Sequence, residues 1–504
     1  MNVIFILMDS VNRHYLDPYG GPRGVTPNLD RFSQRAVRFD NHFVGSLPCM
    51  PARREMFTGR KEFLWRPWGH LEPFDTVLPH VATQHGCKTM MVTDHYHYWE
   101  ENANGYMEAF QGLEMIRGYE NDNWNVDPVD TIPVWAEVIN QYRPGWGTRY
   151  YRNVRDFETE EDFFSAKVFA RGAEWIGKNH GHDPYFLQIE AFGAHEPFHL
   201  PEPYRSMWTE NPDPKFNFWP PYQDPEAMAR FFQSTTPEEL AFIRGQYLGK
   251  LTMLDRWFGV VLDQLDQVGA WDDTMVIVTT DHGHDLGERQ AFGKQFPHYG
   301  SHAQIPLLVW HPQLPEPLRG GTIQGLTSTV DLNPTIAEAV GAANYQAPHG
   351  RSLWPLLRGT QQHFRDAVLY GTYGQGAGCS DETTTLLQGF DNLHHPLYLY
   401  STRMPGIPHS TEDREAFAEH VEMGAFIPGV DIPVWKLPWK AGRFVGGRQQ
   451  SPSILYDRSD PMFEETNRFG TDPTRRKQAQ TLLRDLMESE GAPSEQYARL
   501  DLPT

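Results

Sequence analysis

Three polar side chains follow apolar runs of the sequence at the points where those runs end. The run "VIFIL" at residues 3–7 is soon followed by Asp9, and "TMVIVTT" at residues 274–280 is followed by Asp281 and His282. If both runs are parallel strands of one sheet, their carboxyl ends lie at the same edge, where open α/β sheets bind ligands. Two carboxylates and an imidazole suit a divalent metal ion, so we predict a metal site there. Taken singly, Asp9 could instead cap a helix or turn, and the stretch after the second run could be a structural turn.

A second unusual stretch is "GSLPCMPARREMFTGR" at residues 45–60, which contains one of the chain's three cysteines. A free cysteine is usually a small buried hydrophobic residue. Here Pro48 and Pro51 restrict the backbone on both sides of Cys49, and the charge of Arg53 needs an anion or a ligand. These neighbours favour a functional role for Cys49.

The elements that must position these residues belong to an α/β fold with a large, mostly parallel sheet. Short, continuously apolar runs alternate with helical patterns, which is typical of a sheet covered by helices on both faces. The predicted core strands are "VIFIL" at 3–7, "TMMVT" at 89–93, "YFLQIEAF" at 185–192, "TMVIVTT" at 274–280 and "IPLLVW" at 305–310.

Two stretches show clear helical periodicity. In "TPNLDRFSQRAVRF" at residues 26–39 the periodicity predicts a helix with one apolar face, and residues 241–266 predict a longer one. The first face would contain Leu29, Phe32, Ala36 and Val37.

The alternating pattern weakens from about residue 365. We therefore predict a catalytic α/β domain over residues 1–364 and a smaller C-terminal α+β subdomain over residues 365–504. The subdomain would contain short strands in "DAVLYGTYG" at 366–374, "GRFVGG" at 442–447 and "SILYDR" at 453–458, and a polar helix near 473–488.

Composition excludes several classes of function. The formal net charge is −21, whereas a protein that holds nucleic acid needs spread lysines and arginines. No segment reaches the roughly 20 apolar residues of a membrane span, and the first apolar run is too short for a secretory signal. Three cysteines in 504 residues do not make a disulfide framework, so we expect a reducing compartment, the cytoplasm.

The sequence resembles the sulfatase family of the alkaline phosphatase superfamily. The family's Cys-x-Pro-x-Arg signature is present from Cys49 to Arg53, and Thr58-Gly59-Arg60 follows it. Further stretches that match occur in the family's order: "NVIFILMDS" at 2–10, "TPNLDRFSQRAVRFDNHF" at 26–43, "HEPF" at 195–198, "QYLGKLTMLDRWFG" at 246–259, "VIVTTDHGHDLGE" at 276–288, "STVDLNPTIAEAVG" at 328–341, "HGRSLWPLL" at 349–357 and "LYDRSDPMFEETNR" at 455–468. The resemblance implies an alkaline phosphatase-like fold and a sulfuric ester hydrolase.

The resemblance also implies what Cys49 does. In this family a formylglycine-generating enzyme reads the Pro and Arg of the signature and oxidises the cysteine to formylglycine. One hydroxyl of the hydrated aldehyde would attack sulfur or phosphorus, and the other would then collapse to expel the oxyanion.

Roles for other residues follow from the same resemblance. Asp9, Asp281 and His282 would hold one divalent metal together with residue 49. Many members carry a second aspartate where this chain has Ser10, so a weaker hydroxyl would take that place. Calcium is the first expectation, and manganese is the alternative because carboxylates are fewer here.

Three side chains would act directly on the ester. By resemblance, Arg53 would steady the diol and offset its charge. Lys294 would bind the nonbridging oxygens, and His195 would protonate the leaving oxygen.

The substrate contacts depart from the family pattern at "TDHYHYW", residues 93–99. There Asp94 and Tyr96 stand at the positions of the usual lysine and histidine, and His95 and His97 alternate, so one or both could face the pocket. We also predict that His298 and His302 contact substrate, with Trp65, Trp68 and Trp99 as candidates for a sugar platform.

Three functions stay open from the sequence. The first is a sulfatase acting on a small anionic substrate, for which a carbohydrate sulfate is our favoured guess. The second is a phosphonate monoester or phosphodiester hydrolase that also uses formylglycine. The third is a noncatalytic metal- or anion-binding protein in which Cys49 stays a thiol. A homo-oligomer is compatible with all three.

Overall fold

The computed structural model describes residues 1–99, 105–181, 184–222, 224–403, 420–439, 448–459 and 464–502. Within these ranges the chain forms one large mixed sheet with helices packed on it, and a second, smaller sheet. The strands in chain order are β1 (Asn2–Met8), β2 (Val37–Phe39), β3 (His42–Phe43), β4 (Ser46–Leu47), β5 (Lys88–Thr93), β6 (Gly112–Met115), β7 (Tyr185–Ala191), β8 (Thr274–Thr279), β9 (Asp285–Leu286), β10 (Phe292–Gly293), β11 (Leu307–Trp310), β12 (Thr322–Ile323), β13 (Thr327–Ser328), β14 (Val368–Thr372), β15 (Ala377–Ser380), β16 (Thr384–Gln388), β17 (Phe390–Asp391), β18 (Tyr398–Ser401), β19 (Glu422–Gly424), β20 (Val434–Pro438), β21 (Gln450–Ser451) and β22 (Ile454–Asp457).

Along the chain, most of the α-helices occur in the segments that connect the strands of the large sheet. In chain order they are α1 (Pro27–Ser33), α2 (Cys49–Thr58), α3 (Leu78–Gln84), α4 (Val134–Tyr142), α5 (Trp146–Val154), α6 (Phe164–Asn179), α7 (Tyr204–Met207), α8 (Pro225–Ser234), α9 (Pro237–Val268), α10 (Gly300–Ala303), α11 (Leu332–Ala339), α12 (Trp354–Leu357), α13 (Pro473–Ser489) and α14 (Ser494–Arg499).

The large sheet has the strand order β12-β2-β11-β8-β1-β7-β5-β6. Neighbouring strands are parallel except that β11 runs antiparallel to both β8 and β2. Every residue of the central strand β1 is at most 2% exposed, so both of its faces are covered. The predicted mixed, mostly parallel α/β sheet with helices around it is therefore confirmed, and all five predicted core strands are present.

The long helix α9 has a clear start and stop. Thr236 is its N-cap, and its hydroxyl accepts a hydrogen bond from the Glu239 N–H. Gly269 ends the helix in the left-handed region with φ 66°. Its apolar residues Leu251, Leu254 and Phe258 lie in the main core, as the predicted periodicity requires.

One helix prediction is wrong at its end. We expected Ala36 and Val37 to continue the helical face, but α1 ends at Ser33 and Val37 begins strand β2. Val37 and Phe39 are buried and Arg38 is half-buried between them, which is the alternation of a strand. A β-branched residue beside β11 and β12 gains more from pairing than from one more helical turn.

The second sheet has the order β22-β16-β15-β14-β4, and α13 packs on it through Leu483 and Met487. Its strand β4 comes from the N-terminal part of the chain and pairs in parallel with β14. Phe43, Leu47 and Phe63 also belong to this second core. The predicted strand at 442–447 lies outside the described residues.

A search of the described residues for helices that could cross a bilayer found none of sufficient length and apolar character.

Candidate active site

Four predicted residues meet at the carboxyl edge of the large sheet. Candidate ligand atoms of Asp9, Cys49, Asp281 and His282 all lie within 4.8 Å of one another, and all four residues are buried. Asp9 follows β1 and the Asp281–His282 pair follows β8. These strands are parallel neighbours, with Leu7 opposite Thr279, so their ends coincide. Cys49 is the first residue of α2, which ends at Gly59 with φ 67°.

The His282 ring is held so that one nitrogen faces the cysteine. Its Nδ1 lies 2.9 Å from the Gly283 carbonyl oxygen, which assigns the N–H to Nδ1. Its Nε2 then lies 3.2 Å from Cys49 Sγ. Burial lowers the pKa of His282 to about 3, so the ring is neutral near pH 7. A neutral imidazole with its other nitrogen tied to a carbonyl is the usual form of a histidine metal ligand.

Arg53 binds the acidic residues around this group. Its guanidinium donates to Glu190 at 2.7 Å, to Asp281 at 2.7 Å and to Asp9 at 2.9 Å, and it also donates to the Cys49 carbonyl at 3.0 Å. All four side chains in these ion pairs are fully buried. Arg53 therefore fixes the spacing of two candidate metal ligands and anchors the first turn of α2.

Ser10 lies in the tight turn after β1. Its backbone has φ 61°, and its N–H donates to Asp281 Oδ1 at 3.0 Å. Its hydroxyl donates to Asp9 Oδ1 at 2.7 Å and accepts from Lys294 Nζ at 3.3 Å. Ser10 thus links Asp9, Asp281 and Lys294. Its role as a metal ligand stays a prediction.

The electrostatics of the group fit a cation. Burial, and then the charge of Asp281, raise the pKa of Asp9 well above its usual value. Burial opposes ionisation of Asp281 too, but His282 and Arg53 outweigh it and lower the pKa of Asp281. Burial also raises the pKa of the Cys49 thiol, with Asp9 adding to the effect. Carboxylates that repel one another, beside a neutral imidazole, make a donor set that suits one divalent ion.

Lys294 brings a cation next to the group, where its Nζ donates to the Ser10 hydroxyl. Burial alone would lower its pKa, but interactions with the acidic groups of Cys49, Tyr222 and Glu196 raise the pKa of Lys294 well above the usual value. Its Nζ also lies 5.8 Å from the centre of the Tyr222 ring. Lys294 therefore keeps its charge although it is buried.

His195 and His97 lie next to each other, and the charge of Lys294 acts on His195. Nδ1 of His195 is 2.7 Å from the Glu196 carbonyl oxygen, and the two histidine rings are 6.4 Å apart. Nε2 of His97 is 3.1 Å from Glu120 Oε2. Burial lowers the pKa of His195 well below its usual value, so the free protein holds it neutral.

The stretch at residues 93–99, which departs from the family pattern, has side chains in several different surroundings. Asp94 accepts the Phe192 N–H at 2.7 Å, and burial raises the pKa of Asp94 to about 7. The ring of His95 packs on Phe192 at 4.5 Å and on His97 at 5.1 Å. Of these residues, His97 reaches the His195 side of the site, whereas Asp94 links the ends of β5 and β7.

The two remaining predicted substrate residues, His298 and His302, are buried and lie next to each other. Nε2 of His298 lies 2.9 Å from the Thr372 hydroxyl, and its ring is 5.8 Å from that of His302. Nε2 of His302 lies 3.0 Å from Asp285 Oδ2.

The three tryptophans do not form one surface. Trp68 packs edge-on against His97 at 4.7 Å, whereas Trp65 stacks on His349 at 5.7 Å. Trp99 is 57% exposed, with the Arg117 guanidinium 5.2 Å from its ring. Of the three, Trp68 is next to the His97 side of the site.

Sequence reasoning missed two acidic residues here. Glu190 lies inside the apolar strand β7 and pairs with Arg53, while Tyr98 donates to its other oxygen at 2.8 Å. A carboxylate in the middle of a buried run was a usable signal, because such a charge needs a partner. Glu120 had no comparable signal, since its loop has no periodic pattern.

Comparison with known proteins agrees with this geometry. A protein-family model described as Sulfatase matches residues 1–342. The chain is 27% identical over 405 residues to the multifunctional alkaline phosphatase superfamily protein PehA of Trinickia caryophylli, covering 71% of this chain and 77% of that protein. It is 24% identical to the choline-sulfatase of Rhizobium meliloti (strain 1021), covering 72% of each chain.

Solved structures share the fold. The phosphonate monoester hydrolase of Agrobacterium radiobacter is similar with a TM-score of 0.64 at 19% identity, covering 97% of this chain and 95% of that one. A protein solved in complex with its substrate D-glucosamine-2-N,6-O-disulfate has a TM-score of 0.64 at 16% identity, covering 98% and 99%. The family match extends from Asp9 through His282 and Lys294. The chain therefore belongs to the sulfatase family.

Proposed function

We propose that this chain hydrolyses a sulfate ester and that residue 49, as formylglycine, supplies the nucleophile. The observation that carries the proposal is the buried group of Asp9, Cys49, Asp281 and His282, with ligand atoms within 4.8 Å, at the first turn of α2. A divalent ion held there would lower the pKa of a nucleophilic oxygen on residue 49 and offset the charge of the ester.

The side chains around residue 49 each have a distinct task. Arg53 keeps Asp9 and Asp281 in place while it holds the residue 49 backbone carbonyl. Lys294 offers a fixed cation to the nonbridging oxygens, where preorganised charge lowers the barrier most. His195 protonates the leaving oxygen. An anionic ester favours that protonation because a nearby negative charge stabilises the imidazolium.

The balance of charge favours singly charged esters. The positive charge of Arg53 is already shared by three carboxylates, which leaves Lys294 as the cation directed at substrate among the described side chains around residue 49. A sulfate monoester carries one negative charge and a phosphate monoester up to two. Phosphate monoesters should therefore be the poorest substrates.

A carbohydrate sulfate is the substrate class we favour. The structural neighbour solved with D-glucosamine-2-N,6-O-disulfate suggests that this fold accommodates a sulfated sugar. Trp68, beside His97, offers an apolar face for a sugar ring. Asp94, His95, His298 and His302 remain candidates for contacts with the organic group.

A phosphonate monoester or phosphodiester hydrolase is the second candidate. The similarity to PehA and to the phosphonate monoester hydrolase fold supports it. Such esters are also singly charged, so the same cation balance would accept them. We place them below sulfate esters in expected rate.

Two measurements test the proposal together. The mass of the peptide that contains residue 49 should be about 18 Da below that of the thiol form, since the aldehyde replaces the thiol. A screen of sulfated sugars, aryl sulfates, phosphate diesters and phosphate monoesters should then rank sulfates first and phosphate monoesters last. An unmodified thiol in a protein that turns over no ester would favour a noncatalytic binder, and diester rates above every sulfate would favour the second candidate.

The proposal also extends to cofactors, partners and setting. Calcium is the ion we expect at the first group, with manganese as the alternative, and metal analysis of the purified protein decides between them.

A formylglycine-generating enzyme must act on Cys49 before the chain folds, because Cys49 is 1% exposed. We infer a cytoplasmic location because all three cysteines are buried thiols, and a homo-oligomer is compatible with this proposal.

A further inference from the structure

A second group of metal-ligating side chains lies beside the first. His97, Glu120 and His195 each offer a ligand atom, these atoms lie within 4.8 Å of one another, and all three residues are buried. None of them belongs to the first group. Two imidazoles and one carboxylate are the donor set of many transition-metal sites that keep a coordination position open.

Glu120 is aimed at the point where an ion would lie. It is 3% exposed, and its Oε2 lies 3.1 Å from His97 Nε2 but receives no hydrogen bond from the described residues. A buried carboxylate oxygen without a hydrogen bond is costly unless another group compensates it. The two atoms also have the spacing of neighbouring ligands on one ion, about 3.0 to 3.4 Å for bonds near 2.0 to 2.1 Å.

The backbone of Glu120 is strained in a way that keeps the carboxylate in place. Its φ is 49°, in the left-handed region that a glutamate rarely adopts. Its neighbour Tyr119 is fixed by two contacts, donating to the His195 carbonyl at 2.8 Å and accepting from Lys250 at 2.7 Å. Strain of this kind is typical of functional positions.

His195 has the orientation of a metal-binding histidine. Its Nδ1 is tied to the Glu196 carbonyl at 2.7 Å, and Glu196 is held in turn by His284 at 3.0 Å. A ring tied at Nδ1 presents the lone pair of Nε2 on its other side. The longest ligand spacing, at most 4.8 Å, would close by small rotations of the side chains.

From these observations we propose that His97, Glu120 and His195 form a second metal site that binds a zinc-class transition-metal ion. The second group has two histidines and one carboxylate, whereas the first group has one histidine and two carboxylates beside residue 49. Imidazole nitrogens suit zinc-class ions, and carboxylate oxygens suit calcium and manganese. Three protein ligands leave a coordination position open for water or for an oxygen of the substrate.

Zinc binding tests the site without any need for turnover. Chelator-treated protein is dialysed against increasing zinc, and bound metal is measured for the wild type, Glu120→Gln, His97→Gln, Asp281→Asn and the Glu120→Gln/Asp281→Asn double variant. We expect Asp281→Asn to keep one zinc ion that the double variant loses. Glu120→Gln alone should lower the affinity for that ion at least about tenfold. Cobalt bound to Asp281→Asn should give visible absorption bands that disappear in the double variant.

Controls separate the site from general damage. His199→Gln changes a partly buried histidine that stacks on Phe218 at 5.5 Å, outside both groups, and should bind zinc like the wild type. Circular dichroism and the melting temperature confirm folding of each variant, and Glu120→Gln keeps the shape of the side chain. Equal zinc binding by folded wild type, Glu120→Gln and His97→Gln would overturn the proposal.

A consequence for catalysis rests on the proposed function. Zinc and a proton would compete for the same nitrogen of His195, so zinc should slow unactivated alkyl esters more than nitrophenyl esters. Glu120→Gln should remove that sensitivity to zinc. If zinc binds as expected but turnover does not change, the second metal site stands and the proton-donor role of His195 fails.

Discussion

Arg53 shows why the signature needs an arginine two residues after proline. Its guanidinium donates in one plane to three carboxylates and to the Cys49 carbonyl. Lysine has a single ammonium and cannot reproduce that fork of donors. The arginine therefore holds two candidate metal ligands, Asp9 and Asp281, in place as well as contributing its charge.

The role of Cys49 predicts the largest loss of activity at any single residue. Cys49→Ala cannot form an aldehyde or its hydrate, so turnover of 4-nitrophenyl sulfate should fall by roughly 1000-fold or more. Cys49→Ser should retain at most a trace. Steady-state kinetics on folded protein measure the loss.

The other cysteines are the matched controls. Cys87→Ala and Cys379→Ala each remove a buried thiol that donates to a backbone carbonyl. The Cys87 thiol lies 3.9 Å from the Val340 oxygen, and the Cys379 thiol lies 3.7 Å from the Ala479 oxygen. Both should keep near wild-type turnover. Activity in Cys49→Ala close to that of the wild type would contradict the central assignment.

His195 predicts a dependence on the leaving group. Loss of a general acid costs about 10²- to 10⁴-fold when the leaving oxygen is a poor one. His195→Ala should therefore slow alkyl sulfates by that amount and 4-nitrophenyl sulfate by about tenfold or less. A series of aryl sulfates with increasing phenol pKa measures the slope, and equal losses along the series would rule out proton donation.

At the scale of elements, α1 is held against α9 by one buried carboxylate. Asp255 of α9 accepts the N–H groups of Asn28 at 2.8 Å and Leu29 at 2.7 Å. The N-cap residue Thr26 makes no side-chain cap, so the first turn of α1 is capped from another helix. This contact helps to fix the segment that leads into β2.

Removing that cap should be destabilising. Asp255→Ala leaves two N–H groups without their acceptor in a buried place, which costs about 2 to 3 kcal/mol of unfolding free energy. Urea denaturation measures it. Asp263→Ala removes an exposed ion pair with Arg31 between the same two helices and should cost less than about 0.5 kcal/mol. Equal effects of the two changes would show that the cap contributes nothing special.

At the scale of the whole molecule, the N-terminal and C-terminal parts of the chain share the core of the second sheet. Strand β4 ends at Leu47, two residues before Cys49, and pairs in parallel with β14 of the C-terminal part. Phe43, Leu47 and Phe63 pack in the same core as Leu386 and Leu455. The C-terminal residues therefore complete the surroundings of the Cys49 segment.

This shared core predicts that the domain boundary after residue 364 does not mark an independent unit. A chain of residues 1–364 would expose the apolar side of β4 and lose its pairing strand. We expect it to aggregate or to unfold without a cooperative transition. The full chain is the control, and a soluble 1–364 fragment that unfolds cooperatively would show that the first domain folds alone.

The stability of the molecule should depend on pH through Asp94. Burial raises the pKa of Asp94 from 3.8 to about 7, so the folded state binds its proton more tightly than the unfolded state. The stabilisation is complete below about pH 4 and is lost as the pH rises to about 7. Asp94→Asn keeps an oxygen for the Phe192 N–H and cannot ionise.

The difference in unfolding free energy between the wild type and Asp94→Asn isolates the contribution of Asp94 ionisation. Between pH 4 and pH 7.5 the unfolding free energy of Asp94→Asn should rise relative to wild type by about 2 to 4 kcal/mol. Urea denaturation at several pH values gives the difference at each pH. A difference that is independent of pH would mean that Asp94 ionises alike in the folded and unfolded states.

Features that depend on local pattern could be predicted from the sequence. Five apolar runs predicted five strands, and the polar residues at the ends of the first and fourth runs, Asp9, Asp281 and His282, lie together because parallel strands end at one edge. The motif around Cys49 identified the family because its spacing is fixed within a few residues.

Tertiary structure decided what depends on contacts between distant parts of the chain. Three features depend on pairing with strands from other parts of the chain. They are the antiparallel direction of β11, the strand at Val37 and the placement of β4 in the second sheet. Three contacts of the candidate site also depend on the folded chain. Glu190 pairs with Arg53, Asp94 accepts the Phe192 N–H, and Glu120 lies beside His97 and His195. Such contacts leave no periodic trace in the sequence, because packing and charge compensation select them only when the chain is folded.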